Sequence, residues 1–125
     1  MTARAADTAV GRGAWAEDLA LRFLLDRGLV LVARNYRCRR GEIDLVMRDG
    51  EVLAFVEVRY RRGGGFGAGA ETVDWRKRAR LAASASHYLH THPGASRRPC
   101  RFDVLSVGGS EPSVDWIPNA FQPEG

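Results

Sequence analysis

The sequence predicts an α/β fold, a mixed sheet with helices packed against it in the order α-β-β-β-α-β. Three observations predict it. Apolar residues recur at helical spacing in two well-separated segments, a hairpin pattern with a tight-turn dipeptide lies between them, and further β-rich runs flank that hairpin. At 125 residues the chain is one domain by length, long enough to bury roughly two-thirds of its unfolded surface. Its 45% hydrophobic content is ordinary for a globular protein.

Residues 1–10 carry no periodic pattern and are expected to form a flexible tail; a single domain spans 11–121, and 122–125 form a short C-terminal tail. From about Arg12 to Arg27 the chain reads as a helix. Trp15, Leu19 and Phe23 recur at four-residue spacing, Ala16, Ala20 and Leu24 widen the stripe, and Gly28 supplies a left-handed stop. Glu17 falls at the edge of that apolar arc. Leu29 to Tyr36 is a first strand, opening on the β-rich run Leu29-Val30-Leu31-Val32 and followed by a basic turn at Arg37 to Arg40. Glu42 to Arg48 and Glu51 to Arg61 are the second and third strands, joined by Asp49-Gly50, a dipeptide suited to the φ > 0 positions of a tight hairpin.

Five glycines in the seven residues Gly63 to Gly69 predict a mobile loop. No Gly-Lys-Ser/Thr follows, so it is not a phosphate-binding P-loop. Thr72 is the expected N-cap of a second helix running to about His90 and stopping before Pro93-Gly94. Leu81, Ala85, Tyr88 and Leu89 line its buried side, Arg76 and Arg80 face water, and Lys77 lies at the border. Arg101 to Val107 is a fourth strand, and Val114 to Ile117 is a candidate edge strand.

No stretch approaches the roughly 18 uncharged apolar residues of a membrane span, and the N-terminus lacks the apolar segment of a secretory signal. The expectation is a cytoplasmic protein without membrane contact. Cys38 and Cys100 read as reduced thiols and are too few for a zinc site built on cysteine. The formal net charge is +4. The positive residues are clustered, at Arg37, Arg39 and Arg40, at Arg59, Arg61 and Arg62, and from Arg76 to Arg80. Such clusters suit a polyanion, nucleic acid ahead of a membrane surface, although a solvated basic surface would look the same. Lys77 is the only lysine among 19 basic residues.

Charge also interrupts both hairpin strands, where a half-buried strand has no structural need for it. With Asp49-Gly50 as the turn, Asp44 stands opposite Phe55 and Glu42 opposite Glu57. Glu42, Asp44, Glu57 and Arg59 then emerge on one side of the hairpin. Asp44 and Glu57 become diagonal neighbours, roughly 7–8 Å apart at the backbone. Carboxylates that close repel unless something positive sits between them, and a divalent metal is the simplest candidate. Glu42, one step further along, suits a salt bridge to an arginine. His87, His90 and His92 crowd the end of the second helix, where positive charge suits the helix dipole, but they lack a fourth ligand for zinc. Among aromatic residues, Trp15 and Trp116 read as core. Trp75, Tyr60 and especially Phe66, in the glycine loop, are free to stack on unpaired bases. Asp103 interrupts an apolar strand and suits a neighbouring arginine. No Ser-His-Asp or Cys-His triad is present.

The strand order, with Asp44 on the second strand and Glu57-Val58-Arg59 on the third, resembles the core of the PD-(D/E)xK nuclease superfamily. More narrowly, the chain resembles the YraN-like bacterial proteins, with a Holliday-junction-resolvase-like fold, from about Gly13 to Phe121. Trp15-Ala16-Glu17, Arg34-Asn35-Tyr36, Gly41-Glu42-Ile43-Asp44-Leu45, Phe55-Val56-Glu57-Val58-Arg59-Tyr60-Arg61, Phe66-Gly67, Lys77, Arg101-Phe102-Asp103-Val104 and Asn119-Ala120-Phe121 carry the likeness. It implies a restriction-endonuclease-like fold and hydrolysis of phosphodiesters in structured or branched DNA, in repair or recombination, with Mg²⁺ or Mn²⁺. Asp44 and Glu57 would be the principal ligands, the Val58 carbonyl a third, and Glu17 the additional carboxylate of resolvase-like members. Arg37, Arg39, Arg40, Arg61, Arg62 and Phe66 would contact flanking nucleic acid. Resolvase-like relatives act in pairs, so a homodimer is an expectation of the resemblance alone. Arg59 departs from the pattern, which has lysine there. A guanidinium can grip a phosphate bidentately but cannot accept a proton near neutral pH. Water activation then falls to the metal, or Lys77 fills the vacated role. The alternatives are a nucleic-acid-binding module that has lost cleavage, and an adaptor whose basic surface meets an acidic protein.

Overall fold

The computed structural model describes residues 9–61, 75–108 and 113–122. Two helices flank one five-stranded sheet: α1 (Ala9–Asp26), β1 (Val30–Cys38), β2 (Gly41–Asp49), β3 (Val52–Arg61), α2 (Trp75–Thr91), β4 (Cys100–Gly108) and β5 (Ser113–Phe121). The strands lie side by side in chain order, and only the β3–β4 pair is parallel. A parallel neighbour cannot be reached by a hairpin, so the connection carrying α2 crosses a face of the sheet. The mixed α/β class agrees with the sequence. Thr72 and the glycine loop lie outside the described residues, while α1 starts at Ala9 rather than near Arg12 and β5 runs well past Ile117.

Gly28 ends α1 as its composition predicts. At φ +90° it lets the Leu29 N–H reach the Leu24 carbonyl (3.1 Å) and its own N–H reach Leu25 (3.0 Å). This is a Schellman closure, in which two apolar side chains, here Leu24 and Leu29, meet as the chain turns into the sheet.

Alternation along the strands builds two cores. Leu53 and Phe55 of β3 pack with Leu81, Ala85 and Tyr88 of α2, whereas Ala54 and Val56 pack with Ala16, Ala20 and Leu24 of α1. Strand β2 breaks the rule once. Ile43 and Val46 both join the α2-side core, while Leu45 and Met47 join the α1-side core. The period-2 pattern therefore slips at Asp44. Across from it, between the pairs Arg34↔Leu45 and Tyr36↔Ile43, lies Asn35 in the left-handed region at φ +54°. The sheet is thus bent where its charged residues emerge.

The hairpin register differs from the one the turn dipeptide predicts. Asp49 pairs with Val52 and Leu45 with Val56, so Gly50 (φ +59°) and Glu51 make the turn. A glycine at the first central position suits a two-residue hairpin, and Asp49 is held in the strand by Arg101 at 3.0 Å. Two residues of slip leave the side chains from Asp44 to Arg48 on their predicted faces, and the next step beyond Leu45↔Val56 sets Asp44 beside Glu57. Among the described residues no helix is long and apolar enough to cross a membrane.

Candidate functional site

The bend opens a cleft of about 360 Å³ lined by Gly41, Glu42, Asp44, Glu57, Val58, Lys77, Arg80 and Leu81. Its floor is the divergence of β2 from β3. There the Val58 N–H donates to Asp44 Oδ2 at 2.8 Å, so a side chain accepts the bond. Burial, then the facing Glu57 carboxylate, and more weakly Glu17 and Glu42, push the Asp44 carboxyl up to about 7 against the pull of the Val58 N–H. Glu17 thus approaches from α1 as its place on the helix suggested. Its carboxylate is held by Arg34 Nε at 3.3 Å, and the same guanidinium reaches Asp18 at 2.8 Å and the Ala14 carbonyl at 3.5 Å.

A cation stands in the cleft at ion-pair distance from Glu57. Lys77 Nζ lies 3.0 Å from Glu57 Oε2, with Glu57 largely covered and Lys77 half-exposed. The lone lysine therefore does not end in water. Arg59 follows Glu57 by two residues on β3, paired in register with Ser106, but it is not among the residues lining the cleft. Glu42 takes the predicted arginine partner, Arg37 at 3.1 Å. The turn that carries Arg39 and Arg40 abuts α2 at Gly41 (φ +148°). A Cβ on Gly41 would come within 3.1 Å of Ser84 Oγ, so a side chain at this position would push the basic turn away from the cleft. Arg62 and Phe66 lie outside the described residues, and Arg61 is described only as the last residue of β3.

Sequence reasoning missed two contributors. Arg80, read as facing water, lines the cleft; its position three residues after Lys77 was the available signal. Arg34, the partner of Glu17, lies 17 residues away and left no local trace. The histidines are engaged locally: His87 Nδ1 meets the Tyr36 hydroxyl at 2.5 Å, and His92 Nδ1 lies 2.8 Å from the Tyr88 carbonyl. Asp103 takes the predicted arginine, Arg101, and also accepts from Trp116 Nε1 and the Asn119 N–H. Both cysteines are free.

Residues 16–107, which carry nearly all of this machinery, match the model of Uncharacterised protein family UPF0102. The chain belongs to the UPF0102 family. It is 51% identical over 111 residues to a UPF0102 protein of Xanthomonas oryzae pv. oryzae (strain PXO99A), covering 89% of this chain and 91% of that one. A UPF0102 protein of Nitrosococcus oceani is 50% identical over 116 residues (90% and 93%), and one of Pseudomonas paraeruginosa is 48% identical over 114 residues (88% and 91%). The family-level likeness to YraN-like proteins read from the sequence is therefore correct. The matched segment of the UPF0102 chain includes Glu17, Asp44, Glu57 and Lys77 and omits α1 before Ala16 and all of β5.

Among the described residues, no group of three or more His, Cys, Asp or Glu side chains is close enough to cage an ion by itself. A closed cage is not what every cation needs. Mg²⁺ keeps several waters and is commonly held by one or two carboxylates with substrate phosphates completing its shell. Asp44 and Glu57, all-oxygen donors beside an open cleft, fit that pattern, and burial together with the facing Glu57 carboxylate raises the Asp44 carboxyl.

Proposed function

We propose that this chain is a divalent-metal-dependent, endonuclease-like protein of PD-(D/E)xK type that hydrolyses phosphodiesters in structured or branched DNA. One observation carries the reading: Asp44, at the bend of the sheet, shares with Glu57 an open cleft whose rim is basic, where burial and then the Glu57 carboxylate raise its pKa. Asp44, Glu57 and the Val58 carbonyl would hold Mg²⁺ or Mn²⁺, with Glu17 as the further carboxylate. Such an ion supplies Lewis acidity and a water of lowered pKa. Asp44 must lose its proton to serve as a ligand. Lys77, leaving Glu57, offers its ammonium to a scissile phosphate, and its place inside the cleft supports giving it the role that the sequence pattern assigns to position 59. Arg80, Arg39 and Arg40 add positive charge for flanking phosphates, which favours recognition by backbone shape over base sequence.

A second reading, a binding module on the same fold without cleavage, is favoured by one feature. The Lys77–Glu57 pair at 3.0 Å is a built-in counter-ion that partly satisfies the acidic site without metal. Purified protein with Mg²⁺ or Mn²⁺ is to be incubated with duplex, single-stranded and four-way-junction DNA. Cleavage that is lost in Glu57→Ala and Asp44→Asn supports the enzyme. Absence of cleavage by the unmodified protein, or cleavage undiminished in Glu57→Ala, eliminates it.

A further inference from the structure

We propose that Trp75 and Arg76, at the start of α2, form a stacking platform for an unpaired nucleobase next to the phosphate in the cleft. The substrate class is then nucleic acid with unstacked bases, such as a single strand or a flap, rather than continuous duplex. The inference rests on the nucleic-acid reading above and adds which form of nucleic acid fits.

Among the described residues, Trp75 at 72% exposed stands far above the other exposed large apolar side chains, the next being Leu25 at 46%. The other two tryptophans are engaged: Trp15 meets Tyr60 edge-on with centroids 5.9 Å apart, and Trp116 donates to Asp103 at 3.1 Å. An indole left in water forgoes the burial that makes tryptophan worth placing in a fold, so neither core explains it. The Arg76 guanidinium lies 5.4 Å from the Trp75 ring centroid, within cation–π range. A base on the open face would complete a sandwich of the kind used on single strands.

Position supplies the substrate form. Lys77, two residues on, enters the cleft and touches Glu57. Two residues in a helix correspond to about 200° of rotation and about 3 Å of rise. Trp75 and Lys77 therefore leave α2 on different sides of its first turn. A strand that places a phosphate on Lys77 and a base on Trp75 must wrap the start of the helix, which is only about 10–12 Å across. Duplex DNA, with a persistence length of about 150 bp, does not follow such a path. A single strand does.

The test uses the full chain and intrinsic fluorescence. Oligo(dT) should quench the tryptophan emission, and heparin, a polyanion without bases, should not. Trp75→Phe should abolish the quenching while keeping affinity, and Trp75→Ala should weaken binding to oligo(dT) at least about fivefold with less than a twofold change for duplex. Binding is followed in parallel by anisotropy of labelled oligonucleotides. Oligo(dT) that binds without quenching, or Trp75→Ala that binds it like the unmodified protein, overturns the platform and leaves the nucleic-acid reading standing. No binding of any nucleic acid at low salt removes that reading, and the platform with it.

Discussion

Replacing Asp44 by asparagine should stabilise the metal-free protein, and the gain should grow with pH. The Asp44 carboxyl titrates at about 7 in the fold against 3.8 for an ordinary aspartate, and each decade is worth about 1.4 kcal/mol. Keeping it ionised therefore costs about 4 kcal/mol at pH 8. The sign follows from linkage. The folded-state pKa of an acid is raised, so folding takes up a proton; the cost is absent below pH 3.8, grows between pH 4 and 7, and is constant above 7. Asparagine retains an oxygen to accept the Val58 N–H at 2.8 Å, although a neutral acceptor forfeits about 1 kcal/mol of that bond. The net gain at pH 8 is about 2–4 kcal/mol. For a domain of this size it raises Tm by very roughly 10 °C. Urea unfolding of both proteins from pH 4.5 to 8.5, in EDTA, measures the difference directly and cancels the titrating groups that do not interact with Asp44. A gap that does not widen with pH, or an asparagine variant less stable at pH 8, refutes the account of Asp44 as a crowded, uncompensated acid. Adding Mg²⁺ at pH 8 should raise the Tm of the unmodified protein and leave Asp44→Asn unchanged.

Three further outcomes follow from the same geometry. Arg101→Met should cost about 3–5 kcal/mol, because Asp103 is fully buried and loses its charged partner, Arg101 Nε at 3.0 Å; a loss under 1 kcal/mol in urea melts contradicts this. Gly41→Ala should cost about 1–3 kcal/mol from its backbone conformation and its 3.1 Å approach to Ser84 Oγ, and adding Ser84→Ala should recover only part. Lys77→Met should alter stability by less than about 1 kcal/mol, as for other exposed ion pairs, yet abolish cleavage; a large stability loss would make Lys77 structural rather than functional.

Most of the architecture was legible because periodicity and punctuation agreed. The four-residue stripe from Trp15 to Phe23, the stop at Gly28 and the alternation in Leu53 to Val56 each encode one face, and the structure uses each as read. The hairpin register was not legible from its dipeptide. Asp-Gly admits more than one placement in a tight turn, and the deciding contact, Asp49 with Arg101, joins residues 52 apart. The site survived that error because a slip of two preserves side-chain faces. The bend at Asp44 left no local signal, since Ile43, Leu45 and Val46 are all apolar and an alternation that changes sides looks like one that does not. Lys77 stood out only through composition; its partner was set by tertiary packing.

The cost of Asp44 is what separates function from scaffold. Both cores close without it: Ile43 and Val46 fill one and Leu45 and Met47 the other, all fully buried, so the strand is anchored on either side of the acid. A serine or asparagine at the bend could also accept the Val58 N–H, at a loss of only about 1 kcal/mol. About 4 kcal/mol is a large fraction of the 5–15 kcal/mol that holds a domain together, and it is incurred first by burying the carboxylate and then by facing it toward Glu57. A salt bridge would be the bland way to remove that cost, and the fold has arginines enough to make one. Arg34 is instead committed to Glu17 and Asp18, and Arg37 to Glu42, while Glu57 pairs with a half-exposed lysine. Negative charge is thus concentrated beside an open cleft that solvent and ions can enter, at a position that neither core needs.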